Sequence, residues 1–107
     1  MGQLFYGSTQ QAIEVEDELL MHARMVAFTK LRRGESFLMS WRRPQGGRES
    51  VWVHAAIPLR FVCESDEAIS LDPRVLEEMA YAAGSMSGLD LSPERARTLS
   101  AVPARAA

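Results

Sequence analysis

The residues able to do chemistry gather in one stretch of the chain. Residues 30–61 read KLRRGESFLMSWRRPQGGRESVWVHAAIPLRF and hold both tryptophans, Trp41 and Trp52. Residues 21–60 carry eight Lys/Arg against Glu35 and Glu49, a balance of +6; the flanks carry −8, and the whole chain −2. A local basic patch attracts anions that the net charge would not predict. Arginines beside aromatic rings can track a phosphate backbone while bases stack on the rings. Arginine and tryptophan are also the favoured anchors of protein interfaces. The candidate binding surface is therefore Arg32, Arg33, Arg42, Arg43, Arg48, Arg60, Trp41, Trp52 and His54, with Phe37 as a further ring. The overall pI of 5.7 favours a protein partner over nucleic acid.

Catalytic constellations are missing from the same residues. Gly46-Gly47 falls in a hairpin turn and lacks the strand-to-helix context of a phosphate loop. His22, His54 and Cys63 are dispersed without the spacing of a zinc site, so no metal and no cofactor are expected. Cys63 sits in an apolar FVC run, where a buried inert thiol is the usual outcome. Glu77 and Glu78 are adjacent on a helix and point apart, which is wrong for a carboxylate pair. Asp66-Glu67 reads as a solvated loop. No enzymatic activity is expected.

These residues must be positioned by a small set of elements. Residues 3–6 and 12–16 read as short strands, the second by its apolar/polar alternation. A first helix starts near Asp17 with Glu16, Asp17 and Glu18 at its positive end. It finishes with Lys30, Arg32 and Arg33, and Gly34 stops it, both placements suiting the helix dipole. Glu35 can pair with a nearby arginine, and Phe37 opens the next strand into the core. Residues 36–41 and 50–55 form a hairpin around Pro44-Gln45-Gly46-Gly47. Beyond Pro58, 59–63 resumes as a bent or edge strand. Asp72-Pro73 caps a second helix, which runs to about Ala83 with Val75, Leu76, Met79 and Ala83 on one face. Residues 88–91 offer a last short strand. The expected fold is α+β in the order ββαββ(β)αβ, with a mostly antiparallel sheet of four to six strands and two helices.

Two finer expectations bear on the surface. With the turn centred on Gln45-Gly46, Phe37 faces His54, Met39 faces Trp52, Trp41 faces Ser50 and Arg42 faces Glu49. That register puts both tryptophans on one face, and a one-residue slip would turn Trp52 to the other. On the first helix, Glu18, His22, Thr29 and Arg33 make one polar stripe, and apolar residues fill nearly all the rest. A surface helix needs only one apolar stripe. The helix is therefore either central in the domain or shared with another subunit through Met21, Met25 and Phe28.

At 107 residues the chain is one domain able to bury its own core. Residues 1–91 are expected to be compact and 92–107 a flexible tail. The lone cysteine, the lack of a signal-peptide pattern and the lack of any apolar run near the ~20 residues of a membrane span point to a cytoplasmic protein.

Several segments carry a family resemblance: M-G-x-L-x-Y-G at 1–7, KLRRGESF at 30–37, Ser40-Trp41, W-x-H-x-x-IPLRF at 52–61 and G-L-x-L-x-P-E at 88–94. Together they resemble a family of short, uncharacterised actinobacterial proteins, a domain of unknown function whose members often carry the automatic label "ATP-dependent DNA ligase". The resemblance covers almost the whole chain and implies no catalytic residue. The ligase label fails on chemistry. A ligase needs an adenylated lysine in a K-x-D-G context, whereas Lys30, the single lysine, is followed by Leu31-Arg32-Arg33-Gly34. The expected function is a small non-enzymatic module that self-associates or binds a protein, with nucleic-acid binding as the alternative. The chain's own acidic 14–18 segment is a further candidate to meet the arginines.

Overall fold

In the computed structural model, residues 1–8 and 10–94 are described. The order is β1 (Gly2–Tyr6), β2 (Ile13–Val15), α1 (Asp17–Arg32), β3 (Phe37–Arg42), β4 (Arg48–Val53), β5 (Leu59–Val62), α2 (Pro73–Ala83) and β6 (Leu89–Asp90). The α+β class and the element order are those expected. The strands, however, divide into two three-stranded sheets, β2-β1-β5 and β4-β3-β6, instead of sharing one. All pairings are antiparallel except β3 with β6.

Both helices obey their sequence signals. The Glu16 carboxylate accepts the Glu18 amide at 3.3 Å, and Asp17 and Glu18 fill the first turn of α1. Lys30 and Arg32 fill its last turn, and the chain leaves through Gly34 at φ 73°. In α2, the Asp72 carboxylate accepts the Arg74 amide at 2.9 Å and Pro73 follows as the first helical residue. Val75, Met79 and Ala83 are buried. Glu35 pairs with Lys30 at 3.5 Å, not with an arginine.

The polar stripe expected on α1 is broken at His22, which is fully buried. Its burial is tolerated because both ring nitrogens are used. Nε2 accepts the Asp72 amide at 3.0 Å, so the ring proton belongs on Nδ1, which donates to the Glu18 carbonyl at 2.7 Å. His22 thereby ties α1 to the cap of α2. One continuous core gathers Leu4 and Val15, Leu19, Leu20 and Val26 of α1, Phe37, Met39 and Val53 of the hairpin, Met79, Leu89 and Leu91.

The hairpin register differs from the expected one by one residue. Phe37 pairs with Val53, Leu38 with Trp52, Met39 with Val51, Trp41 with Glu49 and Arg42 with Arg48. The turn explains the slip. Arg43 N–H donates to the Gly47 carbonyl and Gly46 N–H to the Arg43 carbonyl, so Pro44, Gln45 and Gly46 form a three-residue loop centred on Gln45. Because side chains alternate, this half-step sends the tryptophans to opposite faces. Trp41 is buried, and Trp52 stands 61% exposed.

The two sheets meet through Tyr6. Its hydroxyl donates to the Trp52 carbonyl at 2.8 Å and accepts the His54 amide at 3.2 Å. The chain also returns to β3 after α2. Leu91 N–H donates to the Ser40 carbonyl, and Arg42 N–H donates to Ser92 Oγ at 3.0 Å. Ser92 is buried and Glu94 pairs with Arg42, so these residues, assigned to the tail by composition, are attached to β3. The rest of the expected tail, 95–107, lies outside the described residues.

Candidate functional site

The basic residues do not converge on one surface. Arg42 and Arg48 face each other directly across the hairpin, a repulsive arrangement if left alone. Each is met by an acid from the chain's last segment: Arg42 by Glu94 at 2.7 Å, Arg48 by Asp90 at 3.4 Å. Arg48 also donates to Ser40 Oγ. Arg43 folds back on its own turn, Nε donating to the Gly46 carbonyl. The neutralising acids are therefore Asp90 and Glu94, and not the 14–18 segment, where Gln3 donates to Glu14 and Asp17 meets the N-terminus. Burial pushes the Asp90 carboxyl up, but the Ser92 hydrogen bonds and the Arg48 guanidinium outweigh it and leave Asp90 below its ordinary value.

Arg60 lies over the Phe5 ring at 5.1 Å, its cross-strand partner on β1, and Leu59 and Phe61 alternate to the opposite face. Arg33 is exposed at the end of α1. His54 is exposed in a tight turn, its Nδ1 accepting the Ala56 amide. Trp52 shares the outer face of β3 and β4 with Leu38, Arg42 and Arg48, while Trp41 belongs to the core. Cys63 is half-buried instead of fully buried. Among the described residues, no group of three or more His, Cys, Asp or Glu is placed to hold a metal ion. No helix there is long and apolar enough to cross a membrane.

The apolar candidates on α1 come together with residues outside the expected interface. Met25 and Phe28 line a groove of about 730 Å³ between α1 and β5, with Leu31, Ile57, Leu59 and Phe61. Arg24 and Arg32 stand at its rim, and the Arg32 guanidinium lies over the Phe28 ring at 5.9 Å. Phe28 is 58% exposed and Ile57 39%. Met21, the third expected contact, does not line this groove. The signal that could have found β5's part is the IPLRF run after a turn, read only as an edge strand. Two further concavities carry carboxylates. One, of about 650 Å³, opens beside Trp41 between Glu14 and Glu49; the other, of about 840 Å³, runs along α2 past Glu77 and Glu78. Neither Trp52 nor His54 lines any of the three.

Comparison with known proteins follows this geometry closely in extent. Residues 1–94 match a family described as a domain of unknown function (DUF7882), and the chain belongs to that family. The match ends at Glu94, the residue that pairs with Arg42. No curated protein and no solved structure matches the chain.

Proposed function

We propose that this member of the family is a non-enzymatic, cytoplasmic interaction module that engages a protein through the groove between α1 and β5. One observation carries the reading: Phe28 stands more than half exposed in a concave apolar surface floored by Leu31, Leu59 and Phe61. Concave apolar surface with a projecting ring marks a contact site more than scattered exposed leucines do. Fully burying an exposed phenylalanine side chain is worth about 1.5–3 kcal/mol, and the 58% of Phe28 still exposed leaves roughly half of that for a partner to gain. The groove needs no cofactor to do this. Nucleic-acid binding is the second reading, supported by exposed Trp52 on the same face as Arg42 and Arg48. It is the weaker one, because Glu94 and Asp90 already hold those two guanidinium groups.

The test places a photoreactive benzophenone side chain at position 28 in living cells, with position 86 as an exposed control, Met86 being 97% exposed. Sedimentation of the purified protein at low micromolar concentration runs beside it. A crosslinked species specific to position 28, to a second copy or to another protein, is expected. A strict monomer with no crosslink beyond those at position 86 would overturn the proposal. Tryptophan quenching by single-stranded oligonucleotides, lost on Arg48→Glu, would install the second reading instead.

A further inference from the structure

Resting on the docking reading above, we infer that the groove's occupant is an extended acidic segment with apolar side chains, which adds as a strand to the free edge of β5. Charge selects the occupant. Both walls of the groove come from stretches without a carboxylate: 19–34 holds Arg24, Lys30, Arg32 and Arg33, and 50–63 holds Arg60. Lys30 is occupied by Glu35, and Arg60 is turned to the far face of its sheet over Phe5. Arg24 and Arg32 remain at the rim, one turn either side of Phe28 on the same helix face. An apolar floor between two arginines complements a segment whose apolar residues are flanked by carboxylates.

The same charges argue against a second copy docking groove to groove. An isologous pairing sets each patch against itself, so Arg24 and Arg32 of one copy would meet the corresponding cations of the other. Like charges brought together on desolvation penalise such a dimer.

The sheet edge selects the form in which it binds. In the sheet β2-β1-β5, β5 is an edge strand: β1 is its one strand neighbour among the described residues, and no described strand pairs with its other side. The groove runs along that strand with a helix as its opposite wall. A strand edge beside a helix is the geometry of recognition by strand addition: main-chain hydrogen bonds give affinity, and alternate side chains drop into the groove. Alternate residues suit the pleat, since Leu59 and Phe61 both face the groove and Arg60 does not.

The test uses a labelled synthetic peptide that alternates glutamate with valine and phenylalanine, and a second in which lysine replaces every glutamate. Fluorescence anisotropy is followed at low and high salt, and amide exchange is followed at residues 59–62. The acidic peptide is expected to bind saturably, about tenfold or more tighter than the lysine peptide, and more weakly at high salt. Phe28→Glu abolishes binding, Arg24→Glu with Arg32→Glu reverses the preference, and the β5 amides slow their exchange. All three substituted positions lie at the surface, so the variants keep the fold, and near-UV circular dichroism checks this. Equal Phe28-dependent binding of both peptides would overturn the acidic occupant and leave docking intact. Binding without protection of the β5 amides would overturn strand addition. Binding of neither peptide, with the position-28 crosslink still formed in cells, would sink this inference while the proposed function stands.

Discussion

Replacing Gly34 and Gly88 by alanine, one at a time, separates the cost of a backbone conformation from the cost of a contact. The two glycines have nearly the same φ, 73° and 76°. Their surroundings differ completely. A Cβ at Gly34 would meet nothing within 4 Å, whereas at Gly88 it would lie 2.6 Å from the Leu38 carbonyl oxygen and 2.9 Å from its carbon. The left-handed conformation costs a non-glycine residue roughly 1–2 kcal/mol. Alanine also stiffens the unfolded chain, which returns about 0.4–1 kcal/mol. Gly34→Ala should therefore lose about 1 kcal/mol in net stability. Gly88→Ala adds to this the overpacking of β6 against the β3 backbone, typically about 1–3 kcal/mol, for a total of about 2–4 kcal/mol. The backbone of β3 cannot rotate away as a flexible side chain would, and Leu89 and Leu91, both buried, would have to shift with the displaced segment. The assay is urea unfolding followed by tryptophan fluorescence, since Trp41 is buried in the fold and exposed on unfolding, with m held constant as the check on two-state behaviour. Equal losses at the two positions would refute the close approach of residue 88 to Leu38. A gain in stability at Gly34 would refute its role in ending α1.

Three further outcomes follow from the same packing. Tyr6→Phe removes the hydroxyl that joins the two sheets and should cost about 1 kcal/mol in urea unfolding, the net worth of a typical hydrogen bond. His22 should show the Nδ1-protonated tautomer in nitrogen-detected NMR, and His22→Leu should destabilise by about 1–3 kcal/mol because the half-buried Asp72 amide loses the ring nitrogen that accepts it. Asp90 titrates below its unfolded value, so its contribution is fully present above the ordinary aspartate pKa of 3.8 and is lost as the pH falls through its lower folded value. Stability measured across the acid range should accordingly lose part of its pH dependence in Asp90→Asn, and an unchanged dependence would show that Asp90 is not held by Ser92 and Arg48.

What could be read from the sequence was local, and what could not was a matter of phase and of distance along the chain. Helix α1 is legible because its charges sit where the dipole wants them and Gly34 closes it; α2 is legible because Asp72-Pro73 is a cap followed by a first-turn proline. The hairpin is legible as a hairpin, but its register is not. The Pro-Gln-Gly-Gly run admits two centres half a residue apart, and the side-chain period of two converts that ambiguity into opposite fates for Trp41 and Trp52. His22 was misplaced because a histidine on a polar stripe looks solvent-facing until its two hydrogen-bond partners, one 50 residues away, are known. The groove was half legible: Met25 and Phe28 were marked by surplus apolar surface on α1, while Ile57, Leu59 and Phe61 join them only through tertiary packing. The arginines were the clearest signal in the sequence and the least informative about the surface, because Asp90 and Glu94 reach Arg48 and Arg42 from the far end of the domain.

The return of the chain to β3 also has a temporal meaning. Strand β3 becomes the centre of its sheet only when residues 89–92 arrive, about fifty positions after it was made. During synthesis, the FLMSW strand has β4 on one side and an open row of main-chain donors and acceptors on the other, with the leucines that will cover it not yet translated. An open apolar edge is a template for whatever extended chain comes first, including a neighbouring nascent copy. A message broken before codon 88 would yield a product permanently caught in that condition. The brief interval before Leu89 docks is thus the point in this protein's life at which crowding on a polysome, and the attention of chaperones, should matter most.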